Sequence, residues 1–170
     1  MRSFWFPIVL LASASAAQSQ ESEMKPTPPM TEQEETAYLN RQSLALAERG
    51  PAQGWSSTAS GVRWRRVKGD GSGRRPTPAD RVTAHYAGSF IDGSEFDNSY
   101  KRGEPITFPF GMVIQGWQDV MALAGIGDVI EAAIPSSVGY GPKGKGPIPG
   151  GATLLFTIEI VAVNGPEDAQ

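Results

Sequence analysis

The residues of this chain that best suit a binding site are aromatic, and they lie in or beside segments with strand or helix periodicity. Five of them have side chains large enough to wall an apolar cavity: Tyr86, Phe96, Phe108, Trp117 and Phe156. Tyr86 and Tyr140 bring hydroxyl groups and Asp97 brings a carboxylate, and such groups normally need hydrogen-bond partners when buried. The pattern therefore predicts an apolar, aromatic site with a few polar groups. The alternative is that the same rings only fill the hydrophobic core.

Residue types exclude most covalent and metal chemistry. The 170 residues include no cysteine, and His85 is the only histidine. Disulfide scaffolds, cysteine or histidine zinc sites, thiol nucleophiles and multi-histidine metal centres are therefore excluded. His85 has no G-x-S-x-G nucleophile motif to serve, and strand alternation places it on the opposite face from Tyr86. Two carboxylate pairs lack a partner that would raise one pKa and are predicted to be solvated or locally hydrogen-bonded: Glu95 with Asp97, and Asp119 with Asp128.

A glycine-rich segment at 139–145 (GYGPKGK) resembles the start of a phosphate-binding P-loop. Position 146 is glycine, where serine or threonine would hold magnesium. Pro147 and Pro149 also forbid the helix whose N-terminus would receive the phosphate. The segment therefore does not support nucleotide binding.

The hydrophobic pattern from residue 61 onward predicts antiparallel strands and one short helix. Alternation is clear in 81–90, where Val82, Ala84 and Tyr86 share a face, and Asp92-Gly93 is a hairpin signal. The other expected elements are strands at 62–67, 105–110, 128–134 and 152–163, and a helix at 115–124. Five or six strands with a helix covering one face give an α+β fold.

The last two predicted strands are joined by sixteen residues, 135–150 (PSSVGYGPKGKGPIPG). A connection of this length is uncommon in a compact domain unless it has a use, and such loops often cover binding sites. We expect Tyr140 and Ile148 to reach from this loop towards the aromatic residues.

The N-terminal region is typical of an exported protein. Residues 1–17 place Arg2 before an apolar run and end in small residues, which predicts a signal peptide; an uncleaved membrane anchor is the alternative. A flexible tether (18–30), a linker (51–60) and a disordered tail (165–170) are also expected. We therefore predict a secreted or periplasmic protein without a membrane partner after signal cleavage. The net charge of −3, with no long basic run, argues against nucleic acid as a partner.

Residues 31–50 are predicted to form an additional helix. Thr31 and Glu34 make a capping box, and Gly50 followed by Pro51 ends the segment. The helix has a weak apolar stripe at Tyr38, Leu39 and Leu46, with alanines at 37, 45 and 47. This stripe would pack on the main domain or on a second copy of the chain, which leaves a homodimer through this helix open. A solvated, marginally stable helix is the alternative.

Five segments resemble the FKBP-type peptidyl-prolyl isomerases, the macrolide-binding family, in order over residues 61–163. They are VTAHYAG (82–88), IDGSEFDNSYKRGEP (91–105), VIQGWQDV (113–120), IPSSVGYG (134–141) and ATLLFTIEI (152–160). The resemblance implies that 61–164 is an isomerase domain, a five- or six-stranded antiparallel half-barrel wrapped around one short helix. It also implies an enzyme that needs no metal or other cofactor.

The resemblance assigns roles to individual residues. Trp117 would form the pocket floor, and the walls would be Tyr86, Phe96, Phe108 and Phe156, with Val113 and Ile114 beside them. The hydroxyl of Tyr140 and the backbone N–H of Ile114 would each donate a hydrogen bond to a carbonyl oxygen of the substrate. Asp97 would hydrogen-bond Tyr86 and face the rotating carbonyl. Ile148 would close the loop side. The expected catalytic residues are thus Tyr86, Asp97, Tyr140 and Phe156, and the substrate-binding residues are Phe96, Ile106, Phe108, Val113, Ile114, Trp117 and Ile148.

The chain departs from the family pattern at three places: Ile106 stands where many relatives have phenylalanine, the segment 109–112 is short, and the long loop carries Lys143 and Lys145. These departures bear on macrolide affinity and sequence preference more than on activity.

The resulting hypothesis is a prolyl cis-trans isomerase that acts on proline-containing polypeptides and assists the folding of exported proteins, with macrolide inhibitors as a further ligand class. Two alternatives stay open: a chaperone or peptide-binding module that uses the same groove with little turnover, and an assembly protein that oligomerises through its helix.

Overall fold

A computed structural model describes residues 30–165 and contains three α-helices and seven strands in that range. The predicted signal peptide, most of the tether and the tail from residue 166 lie outside the described residues. In chain order the elements are α1 (Glu32–Ala47), β1 (Ser56–Ser57), β2 (Arg63–Lys68), β3 (Arg81–Ser89), β4 (Glu95–Asn98), α2 (Ser99–Arg102), β5 (Ile106–Pro109), α3 (Gln115–Met121), β6 (Val129–Ile134) and β7 (Leu154–Asn164).

All seven strands form one antiparallel sheet in the order β1-β2-β6-β7-β3-β4, and β5 also pairs with β3. The long strands β3 and β7 pair at the centre, with Tyr86 opposite Ile158 and Gly88 opposite Phe156. The α+β fold class is confirmed. The sheet has seven strands rather than five or six because β1 and β4, which are short, extend it at both edges.

One face of the sheet, here called the inner face, carries the hydrophobic core. Buried and half-buried residues alternate along β3, and β7 starts with the same alternation, which puts Val82, Ala84 and Tyr86 on this face together with Phe156 and Ile158. Helix α3 lies against the inner face and buries Trp117 and three other residues: Gly116, Val120 and Met121. The core therefore occupies the space between the sheet and α3.

Helix α3 ends at Met121, three residues before the predicted end at 124. The backbone N–H groups of Leu123 and Ala124 bond to carbonyls three residues back, so the chain tightens into a turn. The carboxylate of Asp128 accepts the N–H of Gly125 at 2.9 Å and fixes this turn. A buried carboxylate thus accepts a backbone N–H at the position where the predicted helix would have continued.

Three short elements were absent from the sequence prediction. Helix α2 begins after Asn98, whose side chain accepts the backbone N–H of Lys101 at 3.1 Å, and it ends at Gly103 with a φ of 82°. The segment 51–60, predicted as a loop, contains a 3-10 turn at Pro51–Gln53 and strand β1. All three elements are too short to produce a periodic hydrophobic pattern.

Helix α1 begins with the predicted capping box: Thr31 accepts the N–H of Glu34, and Glu34 accepts the N–H of Thr31. Its packed face agrees with the predicted stripe in part: Ala45 is buried and Tyr38 and Leu46 are half-buried, but Leu39 is 42% exposed. The other buried residue is Gln42, which the stripe did not include. Within the described part of the chain, no helix has the length and apolar character that crossing a bilayer requires.

Candidate functional site

A cavity of about 580 Å³ opens between the inner face of the sheet, helix α3 and the long loop that precedes β7. The structure brings all eleven predicted site residues to its lining: Tyr86, Phe96, Asp97, Ile106, Phe108, Val113, Ile114, Trp117, Tyr140, Ile148 and Phe156. Four lining residues were not predicted: Met112, Lys145, Gly146 and Pro147. The aromatic residues therefore enclose an open space as well as contributing to the core.

The indole of Trp117 forms the floor. The rings of Tyr86 and Phe156 meet it nearly at right angles, each at 5.2 Å between centroids, and Phe108 lies 5.6 Å away. Edge-to-face contacts of this kind fix ring orientation as well as burying area. The floor is therefore rigid and apolar, and it suits a flat or puckered aliphatic ring.

The wall formed by Phe96 and Phe156 depends on a glycine in the strand beneath it. A Cβ atom at Gly88 would lie 2.6 Å from the Phe96 ring and 2.8 Å from the Phe156 ring. The two rings pack on each other at 5.6 Å with an interplanar angle of 85°. Glycine at position 88 lets both rings lie against the sheet, and any side chain there would displace them.

One edge of the cavity is polar, and three side chains form it. The Tyr86 hydroxyl donates to one carboxylate oxygen of Asp97, and the guanidinium of Arg102 donates to the other. Arg102 also donates to the Tyr86 hydroxyl at 3.2 Å and lies 5.6 Å from the centre of the Tyr86 ring. Arg102 was missed in the sequence because it is placed by α2, the helix that the pattern did not predict.

This network holds both titratable groups in one protonation state near neutral pH. Burial raises the pKa of Asp97, but the hydrogen bonds from Tyr86 and Arg102 outweigh it and leave that pKa below its usual value. Burial and the hydrogen bond to Asp97 raise the pKa of Tyr86. Asp97 is therefore a carboxylate and Tyr86 a neutral phenol, so neither is poised to exchange protons with a ligand.

Hydrogen-bond donors at the cavity are left without partners among residues 30–165, and one of them is the buried indole N–H of Trp117. The hydroxyl of Tyr140 bonds to none of the described residues, and neither does the backbone N–H of Ile114, the residue that precedes α3. Unpaired donors beside an apolar cavity favour a ligand that brings carbonyl oxygens. A peptide backbone has that chemistry.

The long loop is built from short-range backbone bonds. Gly141 donates to Ser136 at 2.8 Å, Gly151 donates to Gly141 at 3.0 Å, and Lys145 and Ile148 exchange two bonds. Ile148 is buried against the cavity, while Lys145 is exposed at its edge. No helix follows the glycine-rich segment 139–145, in agreement with the sequence argument against a phosphate-binding loop.

Other candidate groups are engaged structurally. His85 Nδ1 lies 3.0 Å from Ser99 Oγ, but Ser99 is completely buried and its hydroxyl also bonds the backbone of Tyr86. Asp128 bonds Gly71, Gly125 and Arg66, as expected for a locally hydrogen-bonded carboxylate. Among residues 30–165, no group of three acidic or histidine side chains is arranged to hold a metal ion.

A second cavity, of about 390 Å³, lies on the other side of the sheet beside Trp55. Its carboxylates are already paired, Glu131 with Arg65 and Glu95 with Lys101, each at 2.7 Å. The guanidinium of Arg65 also covers the Trp55 ring at 4.9 Å. This cavity is more polar than the aromatic one, and its charged side chains are already paired with each other or with neighbouring residues.

Sequence comparison gives one family match, to FKBP-type peptidyl-prolyl cis-trans isomerase, over residues 72–161. The chain is 40% identical over 121 residues to an FKBP-type peptidyl-prolyl cis-trans isomerase FkpA of Aeromonas hydrophila. It is 41% identical over 119 residues to the FKBP-type 22 kDa peptidyl-prolyl cis-trans isomerase of Escherichia coli. These alignments cover 71% and 69% of this chain but 45% and 57% of the relatives, so the chain spans about half their length.

Comparison with solved structures also finds peptidyl-prolyl cis-trans isomerases. The crystal structure of FkpA from Escherichia coli matches with a TM-score of 0.70 and 32% identity, covering 78% of this chain and 63% of that one. A peptidyl-prolyl cis-trans isomerase from Pseudomonas syringae matches with a TM-score of 0.70 and 29% identity, covering 81% of this chain and 98% of that one.

Proposed function

The chain belongs to the family of FKBP-type peptidyl-prolyl cis-trans isomerases, and on that premise we propose that it catalyses rotation about Xaa-Pro bonds in polypeptides. The aromatic cavity is the proposed active site. The single observation that carries the proposal is an apolar floor at Trp117 with two unpaired donors beside it, the hydroxyl of Tyr140 and the N–H of Ile114.

The reaction suits a site without a nucleophile or a cofactor, because no covalent bond breaks. The barrier of about 18–20 kcal/mol arises from the loss of amide resonance on rotation. The planar amide has more separated charge than the rotated one, so removal from water favours the rotated state. A lowering of the barrier by roughly 5 kcal/mol would accelerate rotation by between three and four powers of ten.

In this proposal the prolyl ring lies on Trp117 between the rings of Tyr86 and Phe156. The Tyr140 hydroxyl and the Ile114 N–H hold carbonyl oxygens of the substrate. The carboxylate of Asp97 fixes the Tyr86 ring and faces the rotating carbonyl. The remaining contacts are apolar and come from Phe96, Ile106, Phe108, Val113 and Ile148.

The proposed clients are exported proteins. Support comes from the sequence of residues 1–17, which has the pattern of a signal peptide and predicts secretion or a periplasmic location. X-Pro isomerisation without a catalyst has time constants of tens of seconds or more, which is slow enough to be a rate-limiting step in folding. Macrolides remain a proposed second ligand class for the same cavity.

The deciding experiment is an isomerase assay on the purified protein with a Xaa-Pro peptide, coupled to a protease or read by fluorescence. We expect conversion from cis to trans well above the uncatalysed rate. A rate equal to the uncatalysed one, with peptide still bound, would instead support the binding-module alternative.

Two tryptophan variants make the assay specific to the cavity. Trp117→Leu removes the floor and is expected to lower kcat/KM by at least about tenfold. Trp55→Leu is the matched control, because Trp55 lies beside the second cavity and is expected to leave the rate near wild type. Equal effects of the two substitutions would count against this location of the active site.

A further inference from the structure

Helix α1 is attached to the domain at the base of the long loop. The side-chain oxygen of Gln42 accepts the backbone N–H of Thr153 at 2.8 Å, and the Thr153 hydroxyl donates to the backbone carbonyl of Gln42 at 3.2 Å. Both residues are buried, with 7% and 2% of their surfaces exposed. Thr153 is the residue immediately before β7, where the loop rejoins the sheet.

The contact continues into the loop through a glycine. Gly151 has a φ of 75°, and a Cβ atom there would lie 2.7 Å from the side chain of Leu39. The same Gly151 donates its N–H to the carbonyl of Gly141, the residue after Tyr140. A short chain of contacts therefore connects α1 to the tyrosine at the cavity.

Little of α1 is fully buried. Of its sixteen residues only Gln42 and Ala45 are buried, while Tyr38 and Leu46 are half-buried. The apolar contacts are not directional, so the two hydrogen bonds to Thr153 define the register of α1 on the loop base. Losing them would free the loop base more than the sheet.

We propose that Gln42 is a positioning residue for the substrate-binding loop: through Thr153 and Gly151 it fixes the segment that presents Tyr140 and Ile148 to the cavity. Gln42 is not among the residues that line the cavity and touches no reacting atom. This inference rests on the proposed isomerase function for its kinetic consequence, while its structural part can be tested independently.

The test compares Gln42→Met, which keeps length and helix propensity and removes only the side-chain acceptor of the Thr153 N–H, with Gln42→Glu, which keeps an oxygen acceptor at the same reach; the backbone carbonyl of residue 42 stays available to the Thr153 hydroxyl in both. Gln33→Met is the control, because Gln33 lies on the exposed face of α1. Hydrogen exchange of residues 141–151 is expected to accelerate by about fivefold in Gln42→Met. Exchange in the middle of β3 is expected to stay at the wild-type rate.

In the isomerase assay, Gln42→Met is expected to raise KM by about threefold to fivefold with kcat nearly unchanged, since the loop contacts act on substrate binding. Gln42→Glu should lie closer to wild type. Exchange that rises equally in β3 and in the loop, or a loop unchanged relative to Gln33→Met, would overturn the inference. An inactive wild-type protein would overturn the proposed function instead, and the exchange data would still decide the role of Gln42.

Discussion

Asp97 has both carboxylate oxygens occupied by donors from the protein, the Tyr86 hydroxyl and the Arg102 guanidinium. A carboxylate held in this way is a poor proton acceptor, and its pKa lies below the usual value even though burial opposes the shift. At the residue scale, the rings should therefore contribute more to catalysis than the charge.

We predict that Asp97→Asn keeps kcat/KM within about tenfold of wild type, because the amide oxygen still accepts from Tyr86. Trp117→Ala is expected to lose more, because it opens the floor to water. Asp92→Asn, at an exposed turn, is the control. A larger loss for Asp97→Asn than for Trp117→Ala in the isomerase assay would contradict the desolvation account.

Lys145 gives a prediction about sequence preference. It lies at the cavity edge without an ion pair among the described residues, whereas Asp97 is paired with Arg102. We expect kcat/KM to be higher for peptides with glutamate beside proline than for peptides with lysine there. Lys145→Glu is expected to lower the ratio of these two kcat/KM values, glutamate peptide over lysine peptide, by about threefold. The change should shrink in high salt.

Lys143→Glu is the matched control for Lys145, since Lys143 is exposed on the same loop but does not line the cavity. If both substitutions change the preference equally, the effect comes from the net charge of the loop and not from the position of Lys145.

The sequence identified residues by type and family motif, and it did so well for rings that alternate along strands. Tyr86 and Phe156 are examples: their spacing within β3 and β7 predicted a shared face. Arg102 and Met112 were missed because a four-residue helix and a 3-10 turn place them. Neither element has a period long enough to read, and the assigned roles of the lining residues remain predictions.

At the scale of elements, α3 packs on β6 at a distance that only glycine permits. A Cβ atom at Gly116 would lie 2.4 Å from Cγ2 of Ile134, which is completely buried. Helix periodicity predicted the start of α3 and the burial of Trp117, but not this close approach. A distance between helix and sheet is a tertiary quantity that local sequence does not encode.

Gly116→Ala is expected to lower the free energy of unfolding by about 1 to 2 kcal/mol, because the clash exceeds the usual gain of alanine over glycine in a helix. In an Ile134→Ala background the same substitution should be neutral or stabilising. Denaturant unfolding of the four proteins measures both terms. A stabilising Gly116→Ala in the wild-type background would refute the close packing.

The face through which α1 packs on the domain was also predicted only in part. The apolar stripe at Tyr38, Leu39 and Leu46, with alanines at 37, 45 and 47, suggested hydrophobic docking. Ala45 is buried, but the hydrogen-bonded contact is made by a polar residue outside the stripe, Gln42. A glutamine in an amphipathic pattern is assigned to solvent, and its partner is 111 residues away in the sequence. Such a pairing cannot be read from periodicity.

At the scale of the whole molecule, stability should depend on pH through buried carboxylates. Asp128 is 2% exposed, and although burial raises its pKa, bonds from Gly125, Gly71 and Arg66 leave it lowered. A lowered folded-state pKa adds stability that is present above the unfolded value near about 4 and is lost as the pH falls below it.

We therefore predict that Asp128→Asn lowers the free energy of unfolding by about 2 kcal/mol at pH 7, because the amide cannot accept from all three donors. The difference from wild type should narrow as the pH falls from about 5 to 3. Urea unfolding at several pH values measures it, with Asp92→Asn as an exposed comparison. If the difference in unfolding free energy between wild type and Asp128→Asn grew as the pH fell, the pKa of Asp128 would be raised in the folded state and not lowered.

The position of β7 also constrains the order in which the sheet can fold. Among residues 30–165 this strand is the last in sequence, yet it lies in the middle of the sheet and joins β3 on one side to β6 on the other. During synthesis or translocation, the earlier strands have no common partner until residue 164 emerges. Folding of the sheet thus depends on a late, long-range pairing, and an unfinished chain would expose unpaired strand edges to aggregation or to a chaperone.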